Sequence, residues 1–241
     1  MKGVSMRIFA LGDPHLSFTE QGEIYKPMDI FGDHWRDHHL KIKKNWEKMV
    51  SYADIVLVPG DLSWALKLEE ALFDLKFIGQ LPGRKILIKG NHDLWWDGIG
   101  KVRKVLPASI EAIQNDHIRL TSKLAICGTR GWTCPGEKNF TPEDKKIYER
   151  ELGRLRLSLD SIKEKAGEVI VMLHYPPTNG KHELSGFIEI FQEYGVKHCV
   201  YAHLHSDSIK GALPDEKWGI NFYLVSADAV DFTPKLIYVV P

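Results

Sequence analysis

The segment KILIKGNHD, residues 85–93, decides how the chain is read. Its apolar centre has the length of a buried strand, and it runs without a break into Gly90-Asn91-His92-Asp93. An amide, an imidazole and a carboxylate therefore stand side by side at a strand end. That is where open α/β sheets gather their functional groups.

Outward from this segment the same pattern returns four times. RIFAL (7–11) leads into Gly12-Asp13-Pro14-His15, DIVLV (54–58) into Pro59-Gly60-Asp61, EVIVML (168–173) into His174, and HCVYA (198–202) into His203-Leu204-His205. Helical patterns lie between them at 39–52, 65–80 and 142–165. The last opens on Thr141-Pro142-Glu143-Asp144, a capping-box start with proline at the first helical position. Strand, helix, strand predicts parallel pairing through right-handed crossovers. After His205 two closely spaced β runs, WGINFYLV and KLIYVV, predict that the chain closes with antiparallel strands. The stretch from Leu16 to about Asp37 has no period and mixes glycine and proline with aromatics. An irregular loop of that length inside a compact domain points to function.

A length of 241 residues with 44% apolar content supports one sizeable core, so a single domain over 1–241 is expected. The 32 basic and 32 acidic residues cancel, which removes the electrostatic footprint of a protein that grips nucleic acid through its phosphates. Nucleic acid is thus an unfavoured partner. Cys127, Cys134 and Cys199 are widely spaced and odd in number, which argues against a disulfide framework and a thiolate zinc cage. They read as buried, idle thiols. MKGVSMRIFALGD has the form of neither a signal peptide nor a membrane span, and a cytoplasmic protein with no membrane partner is expected.

Asp13 and His15, like His203 and His205, are spaced i, i+2, which in extended backbone turns both members of a pair to one side. Taken singly, each such residue is a turn, cap or solvated residue. Together, five strand ends carrying only metal-type ligands are not explained that way. Oxygen and imidazole donors without thiolate suit Mn, Fe or Zn, and seven candidates are too many for one four-coordinate ion but right for two. A bridging carboxylate is expected.

In this order, Asp13-Pro14-His15, Gly60-Asp61, Gly90-Asn91-His92-Asp93, His174 and Ala202-His203-Leu204-His205 resemble the calcineurin-like metallophosphoesterases, over residues 13–205. The resemblance implies that Asp13, His15 and His205 hold a first metal, that Asn91, His174 and His203 hold a second, and that Asp61 bridges them. It also implies an α/β fold of two mixed β-sheets packed face to face, with helices outside. His92 becomes the family's non-ligand histidine, able to protonate a departing oxygen, and Asp93 accepts from its other ring nitrogen and fixes the tautomer. Two ions would hold a bridging hydroxide for in-line attack on phosphorus.

Two departures refine this. Ala202 stands where the family has glycine. GDLSWA lacks the arginine of the protein phosphatase pattern, so a phosphomonoester loses a partner for its extra charge and a diester is slightly favoured. His34 and His38 in HWRDH are spaced i, i+4, but Trp35 occupies the position where a zinc-protease helix needs glutamate, so a solvated helix start is expected. Trp64, Trp95 and Trp96 follow ligand loops, and packing behind those loops is preferred over stacking on a flat substrate group. Lys41, Lys43 and Lys44 read as one solvated helix face, and Pro176-Pro177 as a stiffener of the His174 loop.

The sequence thus predicts a hydrolase with two divalent transition-metal ions, acting on a small phosphate ester with His92 and Asp93 as catalytic residues. A lid over about 16–39 is also expected. A catalytically silent metal-binding scaffold and a nuclease are the alternatives.

Overall fold

The computed structural model describes residues 6–163 and 167–240. The leading MKGVS, and the last residues of the helix expected to reach 165, lie outside them. The described chain forms two mixed sheets with helices, an α/β fold, and its contacts divide into two compact units. One unit runs up to Ala112 and resumes at Val225, and the other is Ile113–Leu224.

In the first unit β1 (Arg7–Ala10), β2 (Ile55–Val58), β3 (Arg84–Leu87) and β4 (Ile110–Ala112) pair in parallel and in that order. All four side chains of β2 are buried, as a strand covered on both faces requires. Three helices fill the crossovers: α1 (His38–Met49), α2 (Leu68–Gln80) and α3 (Ile99–Val105). Their apolar stripes meet the sheet in a core that includes Trp35, Trp46 and Trp95. The Trp46 indole, wholly buried, donates to the Pro82 carbonyl at 2.8 Å.

The second unit holds β5 (His117–Thr121), β6 (Leu124–Thr129), β7 (Glu168–Leu173), β8 (His198–Tyr201), β9 (Glu216–Lys217) and β10 (Ile220–Leu224), with α4 (Pro142–Asp160) and α5 (Gly186–Tyr194). Its sheet order is β5-β6-β7-β8-β10-β9, and it has its own core around Phe187, Phe191 and Tyr201. The capping box expected for α4 is present, with Thr141 Oγ1 accepting from Asp144 N at 3.1 Å and Asp144 Oδ2 accepting from Thr141 N at 2.9 Å. The chain then returns as β11 (Lys235–Val239), antiparallel to β1 at the edge of the first sheet.

The expectation of an antiparallel close holds for β11 and is half met by β10. β10 lies parallel to β8, with Asn221 opposite His198. The segment after His205 is long enough for a crossover, and the antiparallel signal belongs to the hairpin of β9 with β10. Its two turn residues, Trp218 (φ 55°) and Gly219 (φ 71°), are both left-handed, as a primed hairpin turn requires. Strands β4, β5 and β6 and helices α3 and α5 carry no metal-type ligand at their carboxyl ends and were not anticipated. No helix among the described residues is long and apolar enough to cross a membrane.

Candidate metal-ligand clusters

In the first unit the loops after β1 and β2 continue side by side beyond the sheet. Asp13 N donates to Gly60 O at 3.1 Å, His15 N to Asp61 O at 3.0 Å, and Leu16 N to Leu62 O at 2.9 Å. Asp13, His15 and Asp61 are buried, with left-handed φ of 53°, 45° and 51°. The i, i+2 pair is therefore not extended, and the expected reason for its convergence is corrected. Two left-handed residues, not a pleat, turn the side chains inward. Non-glycine residues in this conformation cluster at functional sites. The donor atoms of Asp13 lie within 4.8 Å of those of both His15 and Asp61. His15 Nε2 and Asp61 Oδ2 are 3.9 Å apart.

The loop after β3 closes on the same carboxylate. His92 N donates to Asp61 Oδ1 at 2.7 Å, and the Asn91 amide also reaches this carboxylate. Gly90 permits the approach, since a Cβ there would stand 2.1 Å from Asp61 Oδ1 and 2.3 Å from Asp61 N. Burial first, then the charges of Asp93 and Asp13, push the Asp61 carboxyl up to about 9. A bound cation would reverse that shift, so buried carboxylates with an adjacent imidazole fit the chemistry of a divalent ion.

Asp93 has a different role from the one expected. Its carboxylate accepts from Asp61 N (2.8 Å), Gly90 N (2.8 Å), Leu62 N (2.9 Å), Ser63 N (3.2 Å) and Trp95 Nε1 (2.9 Å). These five donors fill a carboxylate's accepting capacity, so it does not accept from His92 and does not fix its tautomer. Asp93 instead clamps the β2 and β3 loops together. The His92 ring lies 4.5 Å from Trp64 and 5.7 Å from His15.

A further carboxylate escaped the sequence reading. Asp74, buried on α2, accepts from Phe18 N at 2.7 Å and from Ser63 Oγ. It thereby joins the chain just beyond His15 to the chain just beyond Asp61. Burial is the first cause that raises its carboxyl to about 7. An aspartate inside an otherwise apolar helical stripe was the available signal.

The aromatic residues behave as packing. Trp64 stacks on His15 at 4.8 Å, and Trp95 and Trp96 are buried. His34 is exposed as expected, but His38 is not a solvated helix residue. It is buried, its Nε2 is 3.3 Å from His15 O, and desolvation lowers it to about 4. Within residues 16–39, Trp35 and Phe18 join the first core, whereas Tyr25, Ile30 and Phe31 are exposed.

In the second unit His174 follows β7 and His203 and His205 follow β8. His174 N donates to Arg130 O at 3.0 Å, and Ala202 N donates to His174 O at 3.1 Å, so the Ala202 backbone ties the two ligand segments together. His203 Nδ1 and His174 Nε2 approach to 3.2 Å. His203, with φ 72°, packs its ring against Tyr175 at 4.0 Å, tilted by 34°. His205 N donates to Ser208 Oγ at 2.7 Å, fixing the turn that follows. All three cysteines are buried free thiols, and burial pushes Cys127 and Cys134 up to about 12, which accords with an inert role.

Carboxylate and imidazole donors thus stand at the carboxyl ends of strands in both sheets, a donor set that fits divalent metal ions. The profile of the calcineurin-like phosphoesterases matches residues 6–207, and the chain belongs to that family of metal-dependent phosphoric ester hydrolases, which generally bind two divalent ions. A protein of unknown function from Aquifex aeolicus is similar in structure, with a TM-score of 0.53 and 15% identity over 96% of this chain and 95% of that one. A phosphopantetheinyl hydrolase from Mycobacterium tuberculosis is also similar, with a TM-score of 0.54 and 13% identity over 95% and 92%. A comparison with curated protein sequences gave no match.

Proposed function

We propose that Asp13, His15, Asp61, Asn91, His174, His203 and His205 hold two divalent transition-metal ions, and that the protein hydrolyses a small phosphate ester, a diester in preference to a monoester. The observation that carries this is the buried cluster of Asp13, His15 and Asp61, held in left-handed backbone, where burial and neighbouring carboxylates disfavour the Asp61 charge unless a cation is bound. When bound, the ions polarise the phosphoryl oxygens and make a nucleophile from water. Asp61 would lend its charge to both ions. Trp64 holds the His15 ring in place by stacking on it. His92 gives a proton to the leaving oxygen, a role that its position in the loop beside Asp61 supports. The missing arginine after Gly60-Asp61 supports the diester preference, and three buried thiols support a cytoplasmic setting.

Protein loaded with Mn²⁺ or Zn²⁺ should carry about two ions per chain and cleave members of a panel of mono- and diesters, phosphopantetheinyl esters included. Asp61→Asn should lose both metal and activity. Full metal retention in Asp61→Asn, or no turnover of any ester by the loaded protein, contradicts the proposal. We further propose that the exposed part of 16–39 restricts substrate size. Removing Thr19–Glu23, the tip beyond the Ser17–Lys26 hydrogen bonds, should change KM or substrate range at constant metal content. Unchanged kinetics on small and large esters would rule the lid out.

A further inference from the structure

A cavity of about 570 Å³ opens in the second unit, within the range of roughly 300–1,000 Å³ typical of small-molecule sites. Of the proposed ligands only His203 lines it. Its walls are the loops that follow β6, β7 and β8, three parallel neighbours of one sheet. The carboxyl ends of such strands are where α/β sheets take their ligands.

The walls are preformed by their own hydrogen bonds. Asn179 Nδ2 donates to Pro135 O at 2.8 Å and to Glu183 Oε2 at 2.7 Å, and Gly180 N donates to Glu137 Oε1 at 2.5 Å. These bonds lock the loop after β6 to the loop after β7. Leu204, Leu213 and Tyr175 make part of the lining apolar, with the Tyr175 ring packed against His203. Among the remaining lining groups two carboxylates, Glu137 and Asp144, stand against the single ammonium of Lys138. Asp144 is already committed to Trp132 Nε1 and Thr141. The balance of charge on the lining side chains is therefore negative, which disfavours a second anion on the walls away from His203.

We infer that this cavity is the subsite for the alcohol arm of the ester, and that it selects an uncharged polar arm of about nucleoside size while excluding one with a further phosphate or carboxylate. The inference rests on the phosphoesterase reading, because His203 as a metal ligand sets the phosphate at the rim of the cavity.

Methyl para-nitrophenyl phosphate, thymidine 5′-(para-nitrophenyl phosphate) and the 3′-phosphorylated form of the latter differ only in the arm. Metal-loaded protein should cleave the thymidine ester with kcat/KM about tenfold or more above the methyl ester, and the 3′-phosphate should abolish that gain. Thr133→Trp, or Asn139→Trp at the exposed rim should the first variant fail to fold, should fill the cavity and remove the gain. Neither should alter metal content or the rate on the methyl ester. Equal rates on the methyl and thymidine esters, or a faster 3′-phosphorylated ester, overturn the subsite. If the loaded protein cleaves no ester at all, the phosphoesterase reading fails by itself, and thymidine binding then judges the cavity. Thymidine should shift the amide NMR signals of residues 133–139 and 175–182 in the wild type and not in the filled variants. No shift, or one that survives filling, overturns the subsite in that case too.

Discussion

Asp93 and His92 are adjacent in the chain and opposite in environment. Five donors converge on the Asp93 carboxylate, whereas the His92 ring lies against Trp64 and His15. The two should therefore respond differently to substitution. His92→Ala should leave metal content and thermal stability near wild type while slowing esters with poor leaving groups by about a hundredfold to ten-thousandfold. Asp93→Asn places an amide N–H against backbone N–H donors, which should cost on the order of 3–5 kcal/mol and release metal through the slackened Asp61 loop. Urea denaturation with elemental analysis checks both. Metal loss in His92→Ala would make His92 a ligand, and unaltered stability in Asp93→Asn would remove the clamp. At this scale the identities of the candidate ligands were legible, because each follows an apolar run. Their backbone state was not, since a left-handed φ at Asp13, His15 or Asp61 depends on contacts between loops that no local pattern encodes. The assignment of Asp93 failed for the same reason: three of its five donors come from Asp61, Leu62 and Ser63, about thirty positions away.

The elements that were legible are those whose strand ends carry polar ligands: β1, β2, β7 and β8 fall within the runs read from the sequence, and β3 starts one residue ahead of its run. β6 was missed although its six residues are all buried, because LAICGT ends without a charged or imidazole group and β5 beside it is only half-buried throughout. α5 was missed although Ser185 caps it, accepting from Ile188 N, and Gly195 ends it in the left-handed conformation. Those two signals, nine helical residues apart, are the ordinary marks of a helix start and stop, but no ligand-type residue directly follows them. α2 was legible as a helix, but the work of Asp74 on it was not, for Phe18 and Ser63 come from other loops. Asp74 also yields a pH dependence. Its carboxyl is raised from 3.8 to about 7, so the folded state holds its proton more tightly than the unfolded chain. The stability this contributes is fully present below about 3.8 and is lost as pH rises to about 7, with a slope of at most about 1.4 kcal/mol per pH unit. Asp74→Asn has no such proton to lose. Its unfolding free energy should therefore gain on wild type between about pH 4 and 7 and hold a constant difference above that range. Denaturation series at several pH values measure this, and a difference that stays flat throughout would show that Asp74 remains ionised in the fold.

Over the whole molecule the chain leaves its first sheet after β4, builds a second sheet with a separate core, and returns at Val225 to complete the first. The return does more than close an edge. Gly12 N donates to Val225 O at 2.7 Å, one residue before Asp13. Asn45 Nδ2 donates to the Asp231 and Phe232 carbonyls, and the Phe232 ring meets Trp35 edge-on at 5.1 Å. β11 then pairs with β1 through four registers, from Arg7 opposite Val239 to Ala10 opposite Lys235. The strand that delivers Asp13 and His15 is thus held on one side by β2 and on the other by residues more than two hundred positions away. Removing Lys235–Val239 should expose β1 as an edge and cost on the order of 3–5 kcal/mol, from about 1 kcal/mol for each lost ladder hydrogen bond and the uncovered Ile237. Because β1 leads directly into Asp13, metal affinity should fall along with stability. The second unit, with its own core, should keep slow amide exchange in β6, β7 and β8 while β1 and β2 exchange faster. Hydrogen exchange read strand by strand, with metal titration of the same protein, separates these outcomes. Unchanged exchange in β1 together with unchanged metal affinity would mean that the C-terminal strand only covers an edge and takes no part in shaping the ligand loop.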